Sequence, residues 1–196
     1  TKGFPMPRFL LILSLMLATV GCAMPATAVP PTPARVQVSA ARTAADVGLV
    51  DASTLAPGLR VEMRYAGSDN FTGAPVPGYE APTCLLLRPV AQALAAVQAD
   101  LRDRGLALEI FDCYRPVRSV HAFVDWAHDL SDQRTKAAHY PNVDKSLLLG
   151  PYIAETSGHS RGATVDLGVM RCAGQACTPL DMGTELTPAG PDRYEG

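Results

Sequence analysis

One histidine and one aspartate, His159 and Asp166, have the residue types of a metal site. They lie in the segment 157–166 (SGHSRGATVD), where a turn precedes an alternating stretch. An imidazole in the turn and a carboxylate on the polar face of the next strand can converge on one ion, and zinc takes both ligand types at about 2.0–2.2 Å. Gly162 would let the backbone turn sharply between them. By spacing alone, a histidine and an aspartate seven residues apart more often form a structural hydrogen-bonded pair than a metal site, and both interpretations stay open.

Several sequence blocks occur in an order that resembles a known enzyme family. The blocks are S-x-H-x-x-G-x-x-x-D at 157–166, MRYA at 63–66 with DNFTG at 69–73, DCYRP at 112–116, and YPNVDKS at 140–146. Together they resemble the zinc D-alanyl-D-alanine peptidases, and within them the dipeptidase branch that includes the vancomycin-resistance dipeptidases. The resemblance covers roughly residues 47–184.

The resemblance implies roles for particular residues. His159 and Asp166 would be two of three ligands of one zinc ion, and Arg115 would be the catalytic cation that stabilises the oxyanion. A further set would bind the dipeptide or orient its neighbours: Ser157, Asp112, Tyr65, Asn70 and Phe71. From the residue types alone, Ser157 fits a turn residue that bonds its own backbone, and the two aromatic residues fit a core.

The implied reaction is zinc-assisted hydrolysis of D-alanyl-D-alanine to two D-alanines, in cell-wall peptide turnover. Zinc would polarise the carbonyl, and a carboxylate would act as general base. In the family, the base and the third zinc ligand lie in a Glu-x-x-His element beyond the aspartate ligand. This sequence contains no such element, and no histidine follows Asp166.

This departure leads to three expectations. The third protein ligand of the zinc ion is absent from this chain, the catalytic domain is incomplete at its C-terminus, and the chain has little turnover. His121, His128 and His139 are not expected to replace the missing ligand. A fragment of a longer protein is favoured over a natural short protein that has lost catalysis, because residues 188–196 (PAGPDRYEG) contain no helix or strand pattern that would close the domain.

Two other functions remain open. A D,D-carboxypeptidase or endopeptidase could use the same scaffold, although the dipeptidase-like block at 69–73 argues against it. A non-catalytic module that binds cell-wall peptide would explain the missing base. A nucleic-acid partner is disfavoured, because the formal net charge is -2 and no basic run is present.

The elements that must position these residues alternate between strands and helices. Apolar and polar residues alternate at 59–65, 106–111 and 162–169, which predicts strands, whereas apolar stripes at 88–104 and 117–130 predict helices. Loops are expected at 66–82 and from 131 to about 150. The pattern predicts an α+β domain, and the resemblance implies a small antiparallel sheet with flanking helices.

The N-terminus has the features of an export signal. A 12-residue apolar run at 9–20 follows two basic residues and is too short for a membrane span, which needs about 20 residues. We therefore predict a signal peptide over 1–28, with small residues at its end. Alternatively, Cys22 carries a lipid anchor. In either case the protein is expected in the periplasm or attached to the cell envelope, with a Pro- and Ala-rich linker at 29–46 before the catalytic domain at 47–196.

Beyond the signal peptide the chain has four cysteines, an even number that favours disulfides in an exported protein. Cys172 and Cys177 are close enough for a local bridge, which would leave Cys84 to pair with Cys113. The sequence permits three pairings, so the connectivity is open.

Overall fold

The structure, a computed structural model, describes residues 39–182. The predicted signal peptide, including Cys22, lies outside the described residues, as does the end of the chain from 183. The predicted linker at 29–46 is described only from residue 39. Its last residues already have local structure, because Ala45–Val47 form a 3₁₀ turn and the Asp46 carboxylate accepts a hydrogen bond from the Thr43 backbone. Within residues 39–182 no helix is long and apolar enough to cross a membrane.

A four-stranded sheet forms the centre of the domain. Strands β4 (Leu106–Asp112), β5 (Asp166–Ala173) and β6 (Ala176–Pro179) pair antiparallel, and β2 (Arg60–Val61) pairs with β4 in parallel, in the order β2-β4-β5-β6. The α+β fold with a small sheet and flanking helices is as predicted. The expected antiparallel pairing holds for β4, β5 and β6, whereas the two residues of β2 run parallel to β4.

A second, two-stranded sheet lies beside the first and was not predicted. It pairs β1 (Leu49–Asp51) antiparallel with β3 (Leu85–Leu87). Each strand has only three residues, which is too short for an alternating pattern to stand out in the sequence. Both strands contribute to the hydrophobic core, and Leu86 is completely buried.

Two helices flank the sheets where apolar stripes predicted them. Helix α1 (Arg88–Arg102) is tied to the central strand by Gln98, whose side-chain oxygen accepts a hydrogen bond from the Leu108 backbone at 2.8 Å. Helix α2 (Val117–His128) buries Phe123 against the core. Both helices end two residues before their predicted ends.

Two predicted strands are shorter or shifted in the structure. The stretch 59–65 has only two residues in β2, because Arg64–Ala66 form a 3₁₀ turn that moves the Tyr65 ring off the sheet and against Tyr79 and Phe123. The strand predicted at 162–169 also begins later than expected. Gly162 has a left-handed backbone (φ 68°), so β5 begins only at Asp166.

The predicted loop from 131 to 150 contains a short helix, α3 (Lys136–His139), and a 3₁₀ turn at Lys145–Leu147. Lys145 holds this region together. Only 1% of the residue is exposed, its ammonium group donates to the backbone carbonyls of Asp129 and Asp132 at 2.8 Å, and it lies 3.7 Å from the Trp126 ring centroid. This buried cation therefore connects the end of α2 with the loop that follows it.

Substituting Lys145 by methionine is expected to lower the free energy of unfolding by about 2–4 kcal/mol. The change keeps the apolar stem but leaves two carbonyls without their charged donor, and each such hydrogen bond contributes about 1.5–3 kcal/mol. Part of this loss is offset because the variant no longer buries a charge. Urea unfolding followed by circular dichroism measures the effect. The control is Arg134→Met, which should leave the stability close to that of the wild type, since 70% of the Arg134 side chain is exposed. Equal stability of the two variants would contradict the assigned role.

Candidate functional site

His159 lies in a single 3₁₀ turn, Gly158–Arg161, that is capped at both ends. The Ser157 hydroxyl accepts a hydrogen bond from the His159 backbone N–H at 3.2 Å, and Gly162 ends the turn in the left-handed conformation. A Cβ at position 162 would collide with the Leu49 side chain. The sharp turn predicted at Gly162 is therefore present, and it requires glycine for two reasons, backbone conformation and space.

The orientation of the His159 ring is fixed by the backbone of Cys113. Nδ1 lies 2.8 Å from the Cys113 carbonyl oxygen, and a carbonyl can only accept, so the proton is on Nδ1. The other nitrogen, Nε2, faces the Asp166 carboxylate at 3.4 Å. A histidine that donates from one nitrogen to a carbonyl and presents the other to an acidic neighbour has the arrangement of a metal ligand.

Three side chains lie close enough to hold a metal ion. Donor atoms of Asp112, His159 and Asp166 are within 4.8 Å of one another. Asp112 is nevertheless occupied by other contacts: its oxygens accept hydrogen bonds from the Tyr79 hydroxyl, the Cys113 backbone and the Arg115 guanidinium. It also lies on the Nδ1 side of His159. His159 and Asp166 are therefore the two of these side chains with an atom directed at a possible ion, whereas Asp112 holds other groups in place.

Arg115 is held rigidly at the edge of the same site. Its Nε and Nη2 donate to Asp112, with a distance of 3.0 Å from Nε to Oδ2. The guanidinium carbon lies 5.5 Å from the Tyr65 ring centroid and 5.1 Å from that of Phe123. Nη1 points toward the Ser157 hydroxyl, 3.5 Å away. One face and one edge of the cation are thus fixed, and Nη1 remains directed at the site.

The charges of the site influence one another. Burial lowers the pKa of His159, but hydrogen bonding to Asp166 and the charge of Asp112 outweigh it, so the pKa lies above its ordinary value. The hydrogen bond with His159 holds the pKa of Asp166 below its ordinary value. Burial raises the pKa of Tyr65 to about 12, so this hydroxyl stays protonated at neutral pH.

A cavity of about 510 Å³ opens onto these groups, within the range of about 300–1,000 Å³ found for small-molecule sites. Seven of the residues expected from the sequence to bind metal or substrate line it. They are Tyr65, Asn70, Phe71, Asp112, Arg115, Ser157 and Asp166. The eighth, His159, is buried next to them. The structure thus brings the expected residues together, while their catalytic and binding roles stay predictions.

Asn70 is placed differently from a substrate-binding amide. Its nitrogen donates to the carbonyls of Arg64, Gly67 and Ala74, and its oxygen accepts from the backbone and hydroxyl of Thr72. Both ends of the amide are therefore used within the loop 64–74. We infer that Asn70 shapes the cavity wall by folding this loop.

Tyr79 and His139 are among the residues at or beside the cavity that the sequence analysis did not assign to the site. Tyr79 donates a hydrogen bond to Asp112 at 2.8 Å, yet it lies in a Gly- and Pro-rich loop with no periodic pattern to single it out. His139, expected in a loop, is the last residue of α3 and is buried at the cavity wall. His121 and His128 are exposed on α2, so neither lines the cavity.

Both disulfides have the pairing that the sequence analysis favoured. Cys172 and Cys177 face each other across the hairpin of β5 and β6, and Cys84 is bonded to Cys113 in the core. The second bridge joins the residue before β3 to the residue after β4. It therefore lies directly beside Asp112.

Comparison with known proteins shows which family this sequence matches. A family model described as D-ala-D-ala dipeptidase, of the M15 peptidases, matches residues 45–188. A D-alanyl-D-alanine dipeptidase of Streptomyces coelicolor is 44% identical over 62% of this chain and 60% of its own length. Relatives of the same name from Enterococcus faecium and Enterococcus faecalis are 35% and 41% identical, over 74% and 56% of this chain and 68% and 55% of theirs.

These matches leave part of each relative uncovered, since the chain spans about 60% of the length of the relative from Streptomyces coelicolor. The matched region nevertheless contains every residue of the site described above. It also covers more than half of the chain. The chain therefore belongs to the D-Ala-D-Ala dipeptidase family of M15 peptidases.

Proposed function

We propose that this chain is the part of a zinc dipeptidase that binds D-alanyl-D-alanine and stabilises the transition state of its hydrolysis. One observation carries the proposal: Asp166, whose carboxylate faces His159 Nε2 at 3.4 Å, and the immobilised Arg115 line the same cavity. The relatives bear the name D-alanyl-D-alanine dipeptidase, which supports the choice of D-alanyl-D-alanine as the proposed substrate.

The residues of the site fit zinc. Imidazole nitrogen and carboxylate oxygen are ligands that zinc takes, and the Cys113 carbonyl supplies the outer partner that fixes the ring. Zinc, when bound, would polarise the scissile carbonyl and lower the pKa of a water molecule. We propose that one further ligand comes from residues outside 39–182.

The other residues of the site act on the substrate. Arg115 Nη1 is positioned to donate to the carbonyl oxygen as negative charge develops on it, and Asp112 prevents the guanidinium from turning away. The Ser157 hydroxyl, next to Nη1, can accept or donate toward the dipeptide. Tyr65 and Phe71 form an apolar wall against which a small side chain can pack.

We propose that none of the carboxylates that line the cavity in residues 39–182 is the general base. Asp112 is saturated with donors, Asp166 faces His159, and Asp69 pairs with Arg64 at 3.4 Å. We propose that the base also comes from residues outside this range. A second candidate function follows from the same observation, namely a module that binds cell-wall peptide without cleaving it.

The decisive experiment separates these two functions. The reading frame is followed past codon 196 to look for a Glu-x-x-His element, and the whole product is expressed with zinc and assayed for release of D-alanine. Hydrolysis that is lost in His159→Ala supports the dipeptidase. Saturable dipeptide binding that is indifferent to zinc and to His159→Ala supports the binding module. Cleavage of a pentapeptide in preference to the dipeptide would favour a D,D-carboxypeptidase.

We also propose that the protein acts outside the cytoplasm, in turnover of cell-wall peptide. Two disulfides support an oxidising compartment, and the predicted signal peptide at 1–28 supplies the route. Fractionation of cells that express the whole reading frame tests this proposal. Recovery of the protein in the cytosol with its N-terminus intact would contradict it.

Zinc affinity is expected to fall as the pH decreases from neutral, by about tenfold per pH unit once His159 is protonated. The sign follows from the pKa of His159, which is raised, so that a proton competes with zinc already above the ordinary value of 6.5. Asp166, whose pKa is lowered, stays charged throughout this range.

Competition with a chromophoric chelator between pH 5 and 8 measures this dependence. His121→Ala is the control, because His121 is exposed on α2 and should leave the profile unchanged. A profile that is flat down to pH 5 would show that His159 is not a ligand.

A further inference from the structure

We propose that the disulfide Cys84–Cys113 is a positioning element of the site, which holds the backbone that orients His159 and Arg115. The inference deepens the proposed function and rests on it for the identity of the ion. Both cysteines are completely buried, and their bond lies between the two sheets of the domain.

The backbone of Cys113 makes contacts with the site on both sides. Its N–H donates to Asp112 Oδ1 at 2.8 Å, and its carbonyl accepts the proton of His159 Nδ1 at 2.8 Å. One peptide segment therefore holds the carboxylate that fixes Arg115 and the imidazole that faces Asp166. Any shift of Cys113 moves both groups together.

The segment that contains Cys113 has few other anchors. Strand β4 ends at Asp112, and beyond it the Tyr114 N–H donates to the Leu85 carbonyl at 3.0 Å and the Arg115 N–H to the His159 carbonyl at 3.3 Å. The second of these bonds joins two residues of the same site and so does not tie the segment to another part of the fold. Apart from the disulfide, a single backbone hydrogen bond thus connects this segment to β3.

Strand β3 also supports the turn that carries His159. The Leu87 N–H, three residues after Cys84, donates to the Gly162 carbonyl at 2.8 Å. The disulfide therefore closes a ring of contacts: from β3 to Cys113, from Cys113 to His159, and from the His159 turn back to β3. Without the bridge, only the hydrogen bond from the Tyr114 N–H to the Leu85 carbonyl links β3 to the Cys113 segment, so the acceptor of His159 Nδ1 is held less firmly.

The second disulfide is a matched control within the same chain. Cys172–Cys177 closes the hairpin of β5 and β6, six residues along the strand from Asp166. At about 3.3 Å per residue this is roughly 20 Å from the site. Its cysteines are 5 residues apart, compared with 29 for Cys84 and Cys113. No backbone group of Cys172 or Cys177 bonds to His159 or Asp166.

The test compares two double variants, C84A/C113A and C172A/C177A, with the oxidised full chain. Zinc affinity is measured by chelator competition, and the ¹⁵N shifts of the His159 ring are measured in zinc-free protein. We expect C84A/C113A to bind zinc about 10- to 100-fold more weakly, the usual effect of losing an outer partner of a ligand. Its ring signals should show loss of the fixed Nδ1–H form. C172A/C177A should remain within about twofold of the wild type and keep the ring signals.

Several outcomes would overturn the inference. Equal zinc affinity and equal ring signals in C84A/C113A and wild type would do so. If C84A/C113A does not fold, C84V/C113A restores buried volume and is examined in the same way, with backbone amide spectra to verify the fold. Failure of both to fold would show a global rather than a local role and would also overturn it.

The readouts distinguish this inference from the proposed function. The ring signals need neither zinc nor turnover. If wild-type protein neither binds zinc nor cleaves the dipeptide, the proposed function fails while the tautomer of His159 still tests the bridge. If the wild type does both and C84A/C113A is unchanged, the function stands and the inference fails.

Discussion

Replacing Arg115 with alanine is expected to lower kcat for D-alanyl-D-alanine by about 10²- to 10³-fold, the cost typical of removing one oxyanion donor. The guanidinium is fixed by Asp112 and lies over the rings of Tyr65 and Phe123, so Nη1 needs no reorganisation to meet developing charge. Because that charge appears only in the transition state, KM should change much less. Steady-state kinetics on the zinc-loaded product of the whole reading frame measure both constants.

Two variants control for this result. Arg118→Ala removes a cation three residues further on, whose side chain is 59% exposed and paired with Glu80, and should leave kcat unchanged. Arg115→Lys keeps the charge but loses the forked contact with Asp112, so an intermediate loss is expected. A raised KM with unchanged kcat in Arg115→Ala would contradict the assignment, since it would show that the residue only binds the ground state.

How far the sequence predicts the fold depends on the length of each pattern. The apolar stripe of α1 extends over four turns, and the strand prediction at 106–111 differs from β4 by one residue. In contrast, β1 and β3 have three residues each and depend on pairing with each other. Their stability comes from tertiary contacts that no local pattern records. Such strands can be found only by knowing what they pack against.

In the site, too, local patterns were predictable from the sequence, whereas contacts made by the fold were not. The residue types and order at 157–166 and 112–116 identified the groups that lie around the cavity. Spacing could not show that Asp112 is saturated with donors or that Asn70 folds its own loop, because both facts depend on partners brought together by the fold. Tyr79 contacts Asp112 across 33 positions of sequence. Contacts between residues so far apart in the chain produce no periodic pattern in the sequence.

Asp112→Ala is expected to lower the free energy of unfolding by about 3–5 kcal/mol, the range for removing one partner of a buried ion pair. The carboxylate is 1% exposed and the Arg115 side chain 16% exposed, so the cation would be left largely buried without a counter-charge. The Tyr79 hydroxyl and the Cys113 N–H would lose their acceptor as well. Urea unfolding of zinc-free protein measures the loss without a contribution from the ion.

Comparison with a second aspartate and a double variant tests the cause of this loss. Asp100→Ala removes an exposed partner of Arg104, four residues further along the chain, and should cost only about 0.2–1 kcal/mol. If the unpaired cation causes the loss in Asp112→Ala, adding Arg115→Met should recover part of it, because an apolar group tolerates the same surroundings. A double variant less stable than Asp112→Ala alone would instead show that Arg115 contributes mainly through its contacts with Tyr65 and Phe123.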